Sequence, residues 1–274
     1  MFLGCFLVIA APARLISAAA DELFSLKLYG GGSYHLLHDI NKSIDGSNNL
    51  WYLKWHHINE GGFRPFHWGF QFGAELEARI SPHFSVGLEI GYLRTGRDSS
   101  RKVSYADGYV DEHFDQTLNA AVKAVPMIIT GAFHGMPGKR FSYFGGIGLG
   151  LCLGMMDWRY ESTFEESQTQ SKQEWNGHSV APVLQARAGI ELELWKGISF
   201  VVEAEGLMAQ LRSLKGRLTE NGVVTEDTVF WFKDSGYYEA FFLPQGQVPD
   251  TENTRKGIVD LSGFSFRGGI LFRL

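Results

Sequence analysis

Phe66-His67-Trp68-Gly69-Phe70-Gln71-Phe72-Gly73-Ala74-Glu75-Leu76-Glu77-Ala78-Arg79-Ile80 carries an apolar residue at every even position. The odd positions hold His67, Gly69, Gln71, Gly73, Glu75, Glu77 and Arg79. Side chains along a strand point alternately to its two faces, so this stretch builds one greasy, aromatic face and one ionised face. A single strand of that kind fits a soluble sandwich, with its charges in water. Its recurrence along the whole chain instead points to a closed sheet with the greasy face turned outward into lipid.

The alternating segments are 24–36, 66–80, 84–94, 118–133, 141–155, 180–194, 198–208 and 258–274. In 84–94, Phe84, Val86, Leu88, Ile90 and Tyr92 oppose Ser85, Gly87, Glu89 and Gly91. Segment 118–133 is the least regular, because both of its faces are apolar and it contains Pro126, which cannot donate to a sheet ladder. The links alternate in length. Those at 37–65, 95–117, 156–179 and 209–257 are long, and those at 81–83, 134–140 and 195–197 are short. Short turns on one side and long loops on the other are the pattern of a membrane barrel, with the short turns in the periplasm. The expected fold is therefore all-β: a transmembrane, antiparallel, up-and-down β-barrel of eight strands, with both mature termini periplasmic. Ten strands is the alternative, if the runs Val229–Phe232 and Tyr237–Leu243 in the last link also span; otherwise those runs extend the barrel above the membrane.

Residues 1–20 read as an export signal, with an apolar core from Phe2 to Ala11 and small residues Ala18-Ala19-Ala20 before Asp21. That leaves 21–274 as one barrel domain, with Cys152 as its one cysteine and no disulfide framework. The longest uncharged stretch, Phe141–Met156, is interrupted by five glycines and is shorter than the ~20 apolar residues a membrane helix needs. The formal charge of −5 argues against a nucleic-acid partner.

The polar faces define the candidate site. They contribute the bases Lys27, Arg79, Lys123, Arg187, Arg267 and Arg273 and the acids Glu75, Glu77, Glu89, Glu191, Glu193, Glu203 and Glu205. Near-equal numbers let each charge find a partner where an unpaired one would be very costly. At eight strands side chains just fill the interior, so the expectation is a packed ionic plug.

The chain resembles the eight-stranded outer membrane β-barrel superfamily that includes the transmembrane domain of outer membrane protein A and outer membrane protein X. Three stretches carry the resemblance. Tyr143-Phe144-Gly145-Gly146-Ile147-Gly148-Leu149-Gly150-Leu151 is similar to that group's glycine-rich fifth strand, and Val125-Pro126-Met127-Ile128 to the segment before it. Ile270, Phe272 and Leu274 resemble the C-terminal insertion signature. The resemblance implies an outer-membrane location. The implied partners are outer-membrane lipid and lipopolysaccharide, the barrel-assembly machinery acting on the C-terminal strand, and an extracellular ligand of unknown kind. No peptidoglycan-binding domain is expected beyond the barrel.

Catalysis and metal binding would call on a partly different set of residues. His35, His38, His56, His57 and His67 fall near the outer rim, but without the Cys or carboxylate spacing of a zinc site. Ser33 and His35 share the interior parity of the first strand with Glu89 across the lumen, the ingredients of a lipid-modifying barrel enzyme. A charge-filled interior accounts for Glu89 more simply. The aromatics fall into two belts, Phe24, Trp195 and Phe272 below and Tyr34, Phe66, Trp68 and Tyr92 above. No cofactor and no catalysis are expected. The expected role is structural or interactive through the long loops, with a narrow channel for small or apolar solutes as the alternative.

Overall fold

The computed structural model describes residues 23–54, 57–106, 111–135, 140–166, 169–234, 238–247 and 253–274. The export-signal segment and His56 lie outside the described residues. In chain order the elements are β1 (Phe24–His35), α1 (His38–Lys54), β2 (His57–Gly61), β3 (Trp68–Ser81), β4 (Phe84–Ala106), β5 (Asp111–Gly135), β6 (Phe141–Phe164) and β7 (Gln170–Trp195). They continue as β8 (Ile198–Arg212), β9 (Lys215–Glu220), β10 (Val223–Asp234), β11 (Tyr238–Pro244), β12 (Thr254–Lys256), β13 (Ile258–Asp260) and β14 (Gly263–Arg273).

Eight of these strands close a ring. Antiparallel neighbours run β1–β3–β4–β5–β6–β7–β8–β14, and β14 returns to β1 with Ser25 opposite Arg273 and His35 opposite Gly263. Closure leaves no edge among the ring strands, the condition for a sheet to cross a bilayer. The ring coincides with the eight alternating segments. The ten-strand alternative fails because β10 pairs with β11 and β9 above the ring rather than entering it.

The outward face is apolar all the way round, with Leu88, Ile129, Ile147, Leu149, Met208 and Phe266 exposed. Along β4 this belt runs from Phe84 to Tyr92. At ~3.4 Å per residue and a tilt of about 40°, that is roughly 21 Å, close to the hydrocarbon band of a membrane barrel. Exposed Arg94 sits one outward position above Tyr92 and marks the belt's upper limit.

β4 to β7 continue well above the belt, paired with one another as far as Ala106↔Asp111 and Thr163↔Gln170. There the wall is completed by β9 on β7 and by the β10–β11 hairpin. The first long link holds a helix rather than a hairpin. α1 begins after Leu37, whose φ of 45° is unusual for a leucine. That conformation is held by complete burial and by the Leu37 N–H donating to the Asp260 carbonyl at 2.8 Å.

Candidate functional site

The lumen has two layers, and the strand sequences change character between them. Below, the inward positions are charged: Lys27 on β1, Glu75 on β3, Glu89 on β4, Arg187 on β7, Glu203 and Glu205 on β8, and Arg267 on β14, all buried. Lys27 Nζ lies 2.8 Å from Glu75 and 2.9 Å from Glu203. Arg187 grips both Glu75 oxygens and reaches Glu89 at 3.3 Å. Arg267 joins Glu89 at 2.6 Å, Glu203 at 2.6 Å and Glu205 at 2.7 Å. Three cations thus serve four carboxylates, and neutral donors reach three of the four. The Tyr29 hydroxyl donates to Glu89 at 2.7 Å, the Thr130 hydroxyl to Glu75 at 2.6 Å, and the Ser265 hydroxyl to Glu205 at 3.2 Å. Glycines on the inward face of β6 leave room for this packing: a Cβ at Gly148 would crowd Ile128 and Gln185.

The other charges expected inside divide by position. Glu77 is buried nearer the short-turn end beside His134, at 3.2 Å. Glu191 is buried and paired with Arg273, which also stands 3.8 Å from the half-buried Glu193. Arg79 is half-buried at the end of β3. Lys123 is not in the interior. Val122, Ala124 and Ile128 take the inward positions of β5, and Lys123 points outward to Asp157 at 2.6 Å. The reason is height: this part of β5 lies at the level where the lumen is apolar and the outer wall is already polar.

That apolar layer fills the upper lumen. Leu93, Leu118, Val122, Cys152, Met156, Val183, Leu207 and Leu211 are buried together with Leu37 and with Ile40 and Ile44 of α1. Trp175, Phe230 and Phe242 continue the cluster into the extension, with Trp175 and Phe242 stacked at 4.6 Å. Phe66 belongs to this core, not to the outer aromatic belt where the pattern had put it. Tyr34 and Trp68 do lie at the upper rim, packed with Phe264 and with His67.

α1 is clasped over the mouth by polar groups. Asp39, buried in its first turn, accepts from both Nη atoms of Arg255, at 2.7 and 2.6 Å, and from the Ile258 N–H at 2.9 Å. Asn41 and Asn48 each exchange two hydrogen bonds with a backbone peptide, at Phe66 (3.0 and 2.9 Å) and at Phe63 (3.1 and 2.7 Å). Arg101, buried in the upper part of β4, donates to Ser47 O at 3.2 Å and Asn48 Oδ1 at 3.1 Å and lies 4.1 Å over the Phe63 ring. Burial pushes its guanidinium down to about 10, the hydrogen bond and charge of Tyr160 opposing.

The suggested catalytic grouping is not assembled. His35 Nδ1 faces the Leu261 carbonyl at 2.8 Å, while Glu89 is taken up by Arg267 and Tyr29. Sequence reasoning put Glu77 and Ser85 on polar faces without bringing them to His134, and the three do meet. Both oxygens, however, converge on one ring nitrogen: His134 Nε2 is 2.8 Å from Ser85 Oγ and 3.2 Å from Glu77. A triad needs the acid on one nitrogen and the nucleophile on the other, so this geometry does not supply a base relay. Its signal was the inward parity of all three residues at the short-turn end. Among the described residues no three His, Cys, Asp or Glu side chains are grouped as metal ligands; His38 is exposed on α1 and His67 stacks on Tyr34.

No protein-family model matches the chain, and no curated protein does. Among solved structures the chain is similar to outer membrane protein OprG from Pseudomonas aeruginosa, at 11% identity and a TM-score of 0.40, covering 93% of this chain and 97% of that one. It is also similar to a major outer membrane protein from Thermus thermophilus, at 11% identity and a TM-score of 0.45, covering 92% of this chain and 98% of that one.

Proposed function

We infer that this is an outer-membrane β-barrel protein whose lumen is closed and which acts, without catalysis, through its extracellular extension. The observation that carries the reading is the double seal: a buried ion-pair layer below and an apolar core above it, capped by α1. Among the described residues, side chains packed this closely across an eight-stranded barrel support a lumen without a water-lined path. On this reading the long side, with α1 and the β10–β11 hairpin, faces outward, and both mature termini are periplasmic. The barrel-assembly machinery would act on β14, which closes the ring against β1. Kinship with the outer membrane protein A and X group belongs to the same reading.

Planar-bilayer recording tests it. The refolded chain is expected to give no discrete conductance steps, whereas steps from the unaltered protein would favour the narrow channel. Substituting Ser85→Ala tests the enzyme alternative: loss of a measurable lipase, acyltransferase or protease activity would overturn the non-catalytic reading.

A further inference from the structure

Above the closed ring, β7 changes partner from β8 to β9. The β7–β8 ladder stops at Val183↔Ala209 and resumes above as β7–β9 at His178↔Lys215. Across the gap, residues 179–182 face the longer stretch 210–214. Pro182 brings no N–H to the gap, and Ser213 turns the chain at a φ of 53°. The two strands part, and one hydrogen bond from Ser179 Oγ to the Arg212 carbonyl, at 2.8 Å, crosses the opening.

The parting leaves a groove of about 530 Å³ on the outer wall, lined by Val180, Pro182, Met208, Gln210, Arg212 and Ser262. Its floor is closed, because Val183, Leu207 and Leu211 behind it are buried in the apolar layer. Val180 and Met208 are exposed at the upper limit of the belt. Exposed Arg212, Lys215 and His178 lie immediately above them.

Several cations elsewhere on the outer wall have acidic partners, Lys123 with Asp157 at 2.6 Å, Arg159 with Glu161 at 2.6 Å, Lys172 with Glu174 at 2.8 Å and Arg217 with Glu226 at 2.7 Å, whereas Arg94 and Arg97 on β4 have none among the described residues. Arg212 and Lys215 have no carboxylate partner among the described residues. Arg212 donates to the Gln210 amide oxygen at 2.9 Å, and nearby Asp260 accepts from the Ser262 N–H at 2.9 Å. An apolar slot at the hydrocarbon limit, topped by two unneutralised cations, matches an amphiphile with a phosphate above an acyl chain.

We propose that this groove is a binding site for a phosphorylated, acylated lipid of the outer leaflet, one acyl chain lying against Val180, Pro182 and Met208 and a phosphate against Arg212 and Lys215. The proposal rests on the outer-membrane reading above, so the test scores the two separately. The full chain, refolded in detergent, is titrated with diphosphoryl lipid A and the complexes are counted by native mass spectrometry. Insertion into phosphatidylcholine vesicles is followed in parallel by gel heat-modifiability.

The double substitution Arg212→Gln, Lys215→Gln is expected to weaken lipid A binding about thirtyfold, from roughly a tenfold or smaller contribution of each cation. Filling the slot with Val180→Trp is expected to weaken it as well, and Lys123→Gln on another part of the wall is expected to leave it unchanged. All four side chains are wholly or partly exposed, so the variants are expected to fold, and heat-modifiability checks this. Equal binding by the wild type and the double variant would overturn the proposal. So would equal retention of phosphatidylcholine, or displacement of lipid A by inorganic phosphate with no effect of Val180→Trp. Failure to insert would sink the outer-membrane reading and the proposal together, whereas insertion without lipid A preference sinks the proposal alone.

Discussion

Glu203 shows what a single buried charge does here. It stands 2.9 Å from Lys27 and 2.6 Å from Arg267, and all three side chains are withdrawn from solvent. Replacing it with leucine leaves both cations short of an anion in a medium that solvates them poorly. Removing one partner of a buried pair costs about 3–5 kcal/mol. Glu203→Leu is therefore expected to lower the urea midpoint of the vesicle-inserted barrel strongly. The half-exposed Lys172→Gln is expected to change stability by less than about 1 kcal/mol, since surface pairs contribute little. Equal midpoints for the two variants would remove the ion-pair layer as a source of stability. Asp39 is the corresponding residue outside the membrane. Asp39→Asn gives up the charge that holds Arg255, worth about 2 kcal/mol. The α1 amides are then expected to exchange hydrogen roughly thirtyfold faster while the ring strands keep their protection.

At the scale of elements, β6 is tightly constrained by its neighbours. A Cβ at Gly150 would fall on the Met127 carbonyl oxygen and the Ile128 backbone of β5, whereas at Gly206 on β8 the nearest atom would be 4.0 Å away. Gly150→Ala is expected to cost about 1–3 kcal/mol through forced strand separation. Gly206→Ala is expected to stay within about 0.5 kcal/mol, both read as shifts in the urea midpoint. The period of two revealed every ring strand, because each has one face against lipid and one against the lumen. It failed where the two faces are alike. In β5 the sets Val122, Ala124, Ile128 and Val125, Met127, Ile129 are equally apolar, so Lys123 alone decided the parity, and it decided wrongly. α1 was hidden for a different reason. Its buried apolar residues Ile40 and Ile44 are few, set among Asn, Ser, Asp and Gly with little helix preference, and tertiary clasps at Asp39, Asn41 and Asn48 hold it in place. The ionic cluster was legible from inward parity, but the boundary between charged and apolar layers was not, since height in the barrel depends on strand stagger.

For the molecule as a whole, the decisive property is the environment of its outer belt. Leu149 and Val223 are nearly equally exposed, at 64% and 69%, but Leu149 sits in the middle of β6's outward face and Val223 follows the Asn221-Gly222 turn of the extension. Arginine near a bilayer midplane costs about 2–4 kcal/mol. Leu149→Arg is expected to reduce stability in vesicles by that amount and Val223→Arg to leave it unchanged. Matching effects at the two sites would mean that no hydrocarbon surrounds the belt. The clasp on α1 sets an order of events for the entire chain. Arg255 follows Asp39 by 216 residues, so the helix, tied early to Phe63 and Phe66, waits for its charged clasp until the final strands have arrived. An unfinished barrel stands gaping at its top, and the stopper seats only once the last stave is home.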